Sequence, residues 1–269
     1  MTLAEVLNGA VDYLTARGID TPRLDAELLL ARALGLQRIE LYTQHDRPLT
    51  EAERAELREL VRRRGAREPL AYVLGDWDFR RLTLKTDSRA LIPRPETEVI
   101  VERCLALLDG TAEPRVVDVG TGTGAIALAL KHERPDARVT ATDRSADALA
   151  LAAENATANG LDVDLVHTDL LDGLEGPYDL VVSNPPYVDA DELAALQPEL
   201  AFEPAEALVD RGQTQRLIET ARFGWLVLEV HEARAHDVAR QLDSAGYTDV
   251  AVSQDLAGRD RIVEGRWAP

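Results

Sequence analysis

Apolar residues in the first part of the chain recur with the spacing of amphipathic helices. Thr21-Pro22 predicts the start of one helix, because proline is well tolerated at the first helical position. Thr50 with Glu53 is a capping-box pattern before a helix that ends at Gly65. An earlier helix presents its apolar residues on one face, namely Leu3, Val6, Leu7, Ala10, Val11 and Leu14. This part of the chain is therefore predicted to be a small helical domain.

The pattern changes over residues 70–92. Short strand-like stretches around Phe79, Leu82 and Leu84 alternate with turn residues, which predicts a hairpin or an extended linker. The segment 92–98 that follows is stiffened by two prolines and places acidic residues at the start of the next helix, where the helix dipole favours them.

From residue 115 onward, short β-branched runs alternate with helical stretches. Helices are predicted at 123–133, 145–160 and 233–246. Strands are predicted at 115–119, 138–142, 163–167, 178–183, 225–230, 247–253 and 260–265. This alternation is typical of an α/β fold with a doubly wound, mainly parallel sheet.

A glycine-rich loop follows the first of these strands and opens the next helix. Glycine lets a backbone turn tightly and approach a ligand, and a helix N-terminus adds unpaired N–H groups. Asp143, at the end of the next strand, can accept hydrogen bonds from both hydroxyls of a ribose. The loop residues are Gly120, Thr121, Gly122, Thr123 and Gly124. Loop and carboxylate together predict an adenosine-containing cofactor, although the loop also satisfies the Gly-x-Gly-x-x-Ala pattern of nicotinamide dinucleotide sites.

Three further acidic or apolar residues at strand ends are predicted around this cofactor. Asp118, directly before the loop, is expected near the amino end of the cofactor. Asp169 and Leu170 follow the third strand and are expected to bracket an adenine ring. Ligands of open α/β sheets bind at the carboxyl ends of the strands, where all three residues lie.

The motif Ser183-Asn184-Pro185-Pro186-Tyr187 follows the strand at 178–183 and should share that crevice. The two prolines remove two backbone donors, so the oxygen of Asn184 and the carbonyl of Pro185 remain as acceptors. Two convergent acceptors suit a planar NH2 group, which offers two N–H donors, and Tyr187 can form a flat wall against it. We therefore predict Asn184, Pro185 and Tyr187 as catalytic residues and, together with Pro186, as contacts of an NH2-bearing substrate.

Methyl transfer from a sulfonium cofactor fits this set of residues. The methyl group is already activated, so the enzyme has to align the reactants and stabilise the transition state more than it has to remove a proton. The sequence accordingly offers no obvious catalytic His or Cys. His231 and His236 are spaced too widely for the His-Glu-x-x-His zinc pattern and read as solvated or capping residues, so no metal site is predicted.

The composition of the chain limits the classes of partner that it is expected to bind. The formal net charge of −18 counts against broad binding to phosphate backbones, so no direct contact with nucleic acid is expected. A local basic cluster is read as a solvated helix end favoured by the helix dipole and consists of Arg62, Arg63, Arg64 and Arg67. The single cysteine, Cys104, lies in an apolar run and is read as a core residue. No apolar stretch is long enough to span a bilayer and no signal peptide is evident, so a cytoplasmic location without membrane contact is expected.

The chain resembles the protein-(glutamine-N5) methyltransferases that modify the Gly-Gly-Gln glutamine of peptide chain release factors. Residues 93–98, Pro-Arg-Pro-Glu-Thr-Glu, are the most discriminating match, whereas Asn-Pro-Pro-Tyr alone is shared with adenine-N6 and guanine-N2 methyltransferases. The matching segments are 67–75, 91–98, 118–128, 183–188, 203–204 and 255–261. Departures are Leu170, where the family often has Trp, and a shortened stretch after residue 204.

The resemblance implies a fold and a set of contacts. Residues 1–69 would form a helical substrate-recognition domain, 70–92 a hairpin linker, and 93–269 a seven-stranded, Rossmann-like class I methyltransferase domain. S-adenosylmethionine would contact residues 120–124, Asp143, Leu170 and Asn184. The glutamine of a release factor would contact residues 184–187, and Arg94 and Glu96 are assigned to substrate binding as well.

Two other readings remain open at this point. The same Asn-Pro-Pro-Tyr geometry could serve a methyltransferase of nucleic-acid bases, which would need a basic face and a pocket for a flipped base. The glycine-rich loop could instead belong to a nicotinamide-binding protein or to a catalytically silent adaptor, but Asn-Pro-Pro-Tyr has no role in hydride transfer.

Overall fold

The computed structural model describes residues 1–189, 191 and 197–267. The chain divides into two compact units. The first comprises residues 1–76 together with 197–202, and the second comprises the other described residues from Trp77 onward. No helix of the described residues is both long enough and apolar enough to cross a membrane.

The first unit is helical, as predicted. Its core is built from the buried faces of the helices, and both capping boxes, Thr2 with Glu5 and Thr50 with Glu53, are formed. Gly35 ends the second helix in the left-handed conformation with φ 61°, which glycine adopts without strain. The helices are α1 (Leu3–Ala16), α2 (Pro22–Leu34), α3 (Glu40–Thr43), α4 (Glu51–Gly65) and α5 (Leu70–Leu74).

The N-terminal unit extends past the predicted boundary at residue 69. Helix α5 lies in the stretch that the sequence assigned to the linker, and its Ala71, Tyr72 and Val73 are buried. Val73 belongs to the same apolar core as α1 and α2, so burial of this turn of helix draws it into the first unit. The predicted hairpin follows directly as β1 (Asp76–Phe79) and β2 (Leu82–Lys85), which pair as a two-stranded sheet.

The arginine cluster at the end of α4 is only in part a solvated helix end, because Arg62 is exposed as predicted whereas Arg64 is buried. Arg64 is only 7% exposed, and its guanidinium lies 2.7 Å from a carboxylate oxygen of Asp25 and 2.9 Å from one of Glu199. Arg67 approaches the other oxygen of Glu199 at 2.9 Å. The buried Asp25 on α2 and the partly buried Glu199 hold Arg64 and Arg67, and neither partner is visible from the local sequence.

The second unit contains a seven-stranded sheet with the order β5-β4-β3-β6-β7-β9-β8. In that order, neighbouring strands from β5 through β7 pair in parallel, whereas β9 runs antiparallel to both β7 and β8. The strands are β3 (Arg115–Val119), β4 (Arg138–Asp143), β5 (Asp164–His167), β6 (Leu180–Ser183), β7 (Trp225–Glu229), β8 (Tyr247–Gln254) and β9 (Asp260–Trp267). The predicted α/β class and the predicted strands are confirmed.

Helices cover both faces of this sheet. Alternate residues of a strand point to opposite faces, so Val116 and Leu180 join one apolar core while Val117 and Val181 join the other. Cys104 is fully buried in the first of these cores, as predicted. The helices are α6 (Glu98–Leu107), α7 (Ala125–Glu133), α8 (Ala146–Asn159), α9 (Ala205–Leu208), α10 (Gln213–Thr220) and α11 (Ala235–Ala245).

The strand order reverses between β3 and β6. The chain proceeds outward on one side through β4 and β5, and then returns to β6 on the other side of β3. Such a switch point opens a crevice at the carboxyl ends of the two central strands. The glycine-rich loop follows β3 and the Asn-Pro-Pro-Tyr motif follows β6, so the topology brings the two predicted motifs to one crevice.

Candidate active site

A cleft of about 510 Å³ lies at this switch point, which is a size suited to a cofactor or another small molecule. The glycine-rich loop and the first three residues of the Asn-Pro-Pro-Tyr motif both contribute to its lining. The predicted residues in the lining are Arg94, Gly120, Thr121, Gly122, Thr123, Asp143, Asp169, Leu170, Asn184, Pro185 and Pro186. Gly124, Glu96 and Tyr187 are outside the lining.

The glycine-rich loop is shaped by backbone conformations that side chains disfavour. Gly120, Gly122 and Gly124 have φ of 72°, 57° and 85°, all in the left-handed region. At Gly124 a Cβ would also stand 3.1 Å from Leu128 Cδ1, so this glycine packs the start of α7 although it does not reach the cleft. The backbone N–H groups of Gly120 and Thr121 donate to the carbonyl of Thr142 at 2.8 and 2.9 Å.

Asp143 ties the loop to the neighbouring strand. One carboxylate oxygen accepts from the N–H of Gly122 at 3.0 Å, and the other accepts from the N–H of Ser145 at 2.9 Å. Each oxygen has two lone pairs, so both can still accept a hydroxyl from a ligand in the cleft. Asp143 can therefore hold the loop and bind a ribose with the same carboxylate.

Asp118 lies beneath the loop and not in the cleft wall. It is 1% exposed, and its Oδ2 accepts from the Thr121 hydroxyl at 2.6 Å and from the Ala127 N–H at 3.1 Å, which caps α7. Burial raises the pKa of its carboxyl to about 7. Its other oxygen, Oδ1, has no hydrogen-bond partner among the described residues. Asp118 thus supports the loop directly, and its place at the amino end of a cofactor stays a prediction.

The opposite end of the cleft carries Asp169 and Leu170. Leu170 has a left-handed backbone with φ 54°, and its carbonyl accepts from the Thr142 hydroxyl at 3.0 Å. Asp169 forms a partly exposed ion pair with Arg216 at 2.8 Å. The apolar side chain of Leu170 and the polar edge beside it suit a flat heterocycle, and their contact with an adenine ring stays a prediction.

The Asn-Pro-Pro-Tyr turn is held by groups from distant parts of the chain. The hydroxyl of Ser183 donates to the Val119 carbonyl at 2.7 Å, which ties the ends of β6 and β3 together. The Asn184 Nδ2 donates to the hydroxyl oxygen of Thr97 at 3.3 Å. With its amide nitrogen turned toward Thr97, Asn184 has its oxygen left to accept a hydrogen bond. Pro185 is buried beside it and also lines the cleft.

The Pro-Arg-Pro-Glu-Thr-Glu segment forms one rim of the cleft. Glu203 is buried and accepts from the backbone N–H of Ile92 at 3.0 Å, and its other oxygen pairs with the guanidinium of Arg94. Glu96 is engaged outside the cleft, where its carboxylate lies 3.3 Å from Arg259. The structure therefore brings Arg94 to the site predicted for the substrate and holds Glu96 away from it.

Tyr187 leaves the cleft and packs beside His231, with 6.1 Å between the ring centroids. Burial raises the pKa of its phenol. His231 caps the turn that follows β7, because its Nδ1 accepts from the Ala233 N–H at 3.2 Å, and His236 pairs with Asp260 at 3.2 Å. The histidines are thus capping and surface residues, as predicted.

Three residues of the site were not found from the sequence: Thr97, Glu203 and Glu229. Glu229 ends the otherwise apolar strand β7 and is 2% exposed. A single carboxylate in a buried central strand is a usable signal, because charges are rarely buried without a role. Thr97 and Glu203 carry no such local signal.

Comparison with known proteins assigns the family. Two family models match: the PrmC N-terminal domain over residues 5–75 and the methyltransferase small domain over residues 97–222. A release factor glutamine methyltransferase of Deinococcus radiodurans is 41% identical, with 100% of this chain and 99% of that protein covered. The chain belongs to the release factor glutamine methyltransferase family.

Further members of this family are similar along nearly their whole length. The release factor glutamine methyltransferase of Xylella fastidiosa is 42% identical, with 95% of this chain and 97% of that protein covered. That of Salmonella typhimurium is 39% identical, with 98% of each covered. The predicted methyltransferase class is confirmed, and nothing supports the nicotinamide-binding or adaptor readings.

Solved structures of lower identity share the fold. The catalytic domain of human METTL16 is 18% identical with a TM-score of 0.56, covering 70% of this chain and 75% of that one. A T. thermophilus 16S rRNA methyltransferase is 16% identical with a TM-score of 0.53, covering 72% of this chain and 50% of that one. The second unit of this chain thus has the class I methyltransferase fold that the sequence predicted.

Proposed function

We propose that this chain transfers a methyl group from S-adenosylmethionine to N5, the side-chain amide nitrogen, of the glutamine in the Gly-Gly-Gln motif of peptide chain release factors. S-adenosylmethionine is the cofactor of this methyltransferase and supplies an electrophilic methyl group when bound. The observation that carries the amide as target is the orientation of Asn184. Its nitrogen is committed to Thr97 at 3.3 Å, while the residue lines the same cleft as the glycine-rich loop.

The described residues fit this cofactor. Asp143 has acceptor capacity left for the ribose hydroxyls, Asp169 and Leu170 lie where the adenine would bind, and Asn184 closes the far side. The unpaired Oδ1 of Asp118 is a buried acceptor beneath the loop, in keeping with an ammonium group nearby. The loop residues proposed to contact the cofactor are Gly120, Thr121, Gly122 and Thr123, with Gly124 fixing the turn behind them.

The substrate amide would be held by two acceptors. We assign one N–H to Asn184 Oδ1 and the other to the Pro185 carbonyl, so that the nitrogen lone pair points along the cleft. Holding both hydrogens favours the change of the nitrogen from planar toward tetrahedral as the N–C bond forms. The transfer would break the sulfur–methyl bond and leave S-adenosylhomocysteine, and the methylated nitrogen would release one proton to water. Pro186 would border the amide and Arg94 the flanking peptide, whereas Tyr187 and Glu96 lie outside the lining of the cleft.

The net charge of the chain favours a protein over a nucleic acid as the methylated substrate. The net charge of −18 disfavours a phosphate backbone. The basic cluster of the first unit is also engaged, since Arg64 and Arg67 are both paired with Glu199. Methylation of an adenine or guanine amino group by the same acceptor pair is the alternative to test.

The test is tandem mass spectrometry of a purified bacterial release factor after incubation with this protein and S-adenosylmethionine. We expect the mass gain of one methyl group on the Gly-Gly-Gln glutamine. The control is the same release factor with that glutamine replaced by asparagine, whose shorter side chain cannot reach the acceptors. Methylation of tRNA, rRNA or DNA in a parallel incubation, with the release factor unmodified, would favour the base methyltransferase instead.

A further inference from the structure

A buried carboxyl group lies directly behind the Asn-Pro-Pro-Tyr turn. Glu229 is the last residue of β7, is 2% exposed, and has an Oε2 without a hydrogen-bond partner among the described residues. Burying such a group is costly unless other groups compensate. Its position therefore calls for a role that a neutral residue would not fill.

The sheet register places Glu229 beside Asn184. In the parallel pair of β6 and β7, Ser183 is opposite Leu228, so Asn184, which follows β6, lies at the level of Glu229, the last residue of β7. Thr97, from the turn before α6, completes the cluster, because its hydroxyl oxygen accepts from Asn184 Nδ2 at 3.3 Å. Hydrogen bonds from both Thr97 and Asn184 lower the pKa of Glu229, although burial outweighs them and raises it to about 7.

These contacts bear on the orientation of the Asn184 amide. An amide has a donor end and an acceptor end, and a rotation by half a turn exchanges them. An ionised carboxylate can only accept, so it attracts the NH2 end and repels the oxygen. A protonated carboxyl could instead donate to the oxygen and stabilise the reversed amide, in which Nδ2 would face the substrate.

We propose that Glu229 is a positioning residue: in its ionised form, and together with Thr97, it fixes the Asn184 amide so that Oδ1 faces the cleft and can accept an N–H of the substrate. This inference rests on the proposed function, in which that oxygen binds the glutamine amide. Glu229 itself touches neither substrate nor cofactor in this account. It acts through Asn184.

The proposal has a pH dependence with a defined sign. Protonation of Glu229 would allow the reversed amide, so kcat should fall as the pH is lowered through the pKa of this carboxyl. The charged and titratable groups that face Glu229 are Arg261 on β9, Glu96 in the turn before α6, and Tyr187 after β6. Arg261 favours the ionised form and Glu96 the protonated form, so both set where the fall occurs.

Steady-state kinetics on a release factor would test the role. We expect Glu229→Ala to lower kcat by about 10- to 100-fold, with the Kd for S-adenosylhomocysteine within about twofold of the wild type. Glu229→Gln keeps one acceptor oxygen but adds an NH2 group that can favour the reversed amide, so a loss of about 3- to 10-fold and a flat pH profile for kcat are expected. Thr97→Val should lower kcat, Thr97→Ser should restore most of it, and the effects of Thr97→Val and Glu229→Gln should not be additive.

The matched control is Glu264→Gln. Glu264 is 3% exposed on β9, where it lies opposite Val227 of β7, and its carboxylate is held by Arg103. This variant should lose stability without a change in kcat or in the pH profile. Glu229 variants that behave in the same way would reduce Glu229 to a structural role and overturn the inference.

A substrate-free measurement separates this inference from the proposed function. Carbon-13 NMR of glutamate-labelled protein, assigned with Glu229→Gln, can follow the titration of Glu229 directly. Thr97→Val should raise its pKa, because a hydrogen bond that favours the charged form is lost. An unchanged titration would overturn the inference even if the wild type methylates release factors. If the wild type methylates no release factor, the proposed function is wrong. The titration would still decide whether Thr97 and Glu229 are coupled.

Discussion

The two loops that form the cleft are supported in different ways. The glycine-rich loop after β3 is held by carboxylates 3 and 21 positions from their partners: Asp118 bonds Thr121, and Asp143 bonds Gly122. The turn after β6 is held by residues far from it in sequence, such as Thr97, which is 87 positions from its partner Asn184. The first loop is thus encoded locally, whereas the geometry of the second exists only once the second unit has folded.

This difference agrees with the tasks proposed for the two loops, which are binding the cofactor and orienting the substrate amide. A nucleoside-type cofactor needs backbone donors and one carboxylate, which a short motif can supply. Orienting a neutral amide for attack demands acceptors fixed to within a fraction of an ångström, and remote side chains that are themselves packed provide that rigidity. Substitutions should therefore separate cofactor affinity from turnover according to the loop they affect.

The largest effect is expected for Asn184→Ala. Loss of the proposed amide acceptor should lower kcat by about 10³-fold, or about 4 kcal/mol of transition-state stabilisation, since a hydrogen bond made to the reacting group is removed. The Kd for S-adenosylhomocysteine, measured by calorimetry, should change little by comparison. Asn159→Ala is the control, because Asn159 donates only to backbone carbonyls of Thr83 and Asn155 outside the cleft. Full turnover in Asn184→Ala would refute the assigned role.

The part of the site that could be predicted from the sequence follows the same division between the glycine-rich loop and the turn after β6. The loop at residues 120–124 was found because its glycines follow a strand and open a helix, and Asp143 because it ends the next strand, 21 positions after Gly122. Asn184 was found from its motif, but Thr97 and Glu203 were not, since they reach Asn184 and Ile92 only in the folded second unit. The extent of the N-terminal unit was missed for the same reason, because residues 197–202 join it through contacts with α4.

The next largest effect is expected for Asp118, which supports the glycine-rich loop, and it should appear in the free energy of unfolding. The pKa of Asp118 is raised by burial to about 7, above its value in the unfolded chain, so the folded state binds more protons between roughly pH 4 and 7. The contribution of Asp118 to stability is therefore fully present at low pH and is lost as the pH rises through about 7.

Asp118→Asn removes this titration. The free energy of unfolding in urea should then decline less between pH 4 and 7, with a difference of about 2–4 kcal/mol across the window. Asp136→Asn is the control, because hydrogen bonding to Arg134 lowers the pKa of that exposed carboxyl to about 2, outside the window. An equal decline in the wild type and in Asp118→Asn would show that Asp118 does not carry the predicted proton.

A smaller effect, confined to cofactor affinity, is expected for Asp143→Ala. The variant loses the acceptors for the ribose as well as the bonds to Gly122 and Ser145, so the Kd for S-adenosylhomocysteine should rise by about 10- to 100-fold. At saturating cofactor, kcat should stay within a few fold of the wild type. Asp164→Ala, at an exposed position of β5, provides the control for loss of a carboxylate. A fall in kcat without a change in Kd would contradict the proposed ribose contact.

The smallest effect is expected for Glu203, which supports the rim of the cleft from a distant part of the chain. Glu203→Ala removes the acceptor of the Ile92 N–H and the partner of Arg94, and Arg94 is exposed enough to gain water in exchange. We expect a loss of about 1–2 kcal/mol in the free energy of unfolding and a higher KM for the release factor, with cofactor affinity unchanged. Glu219→Ala, which removes an exposed carboxylate bonded by Gln215 on α10, should change neither quantity. If Glu203→Ala weakened cofactor binding as much as substrate binding, the two loops would not be independent, and the separation of local from remote support would have to be abandoned.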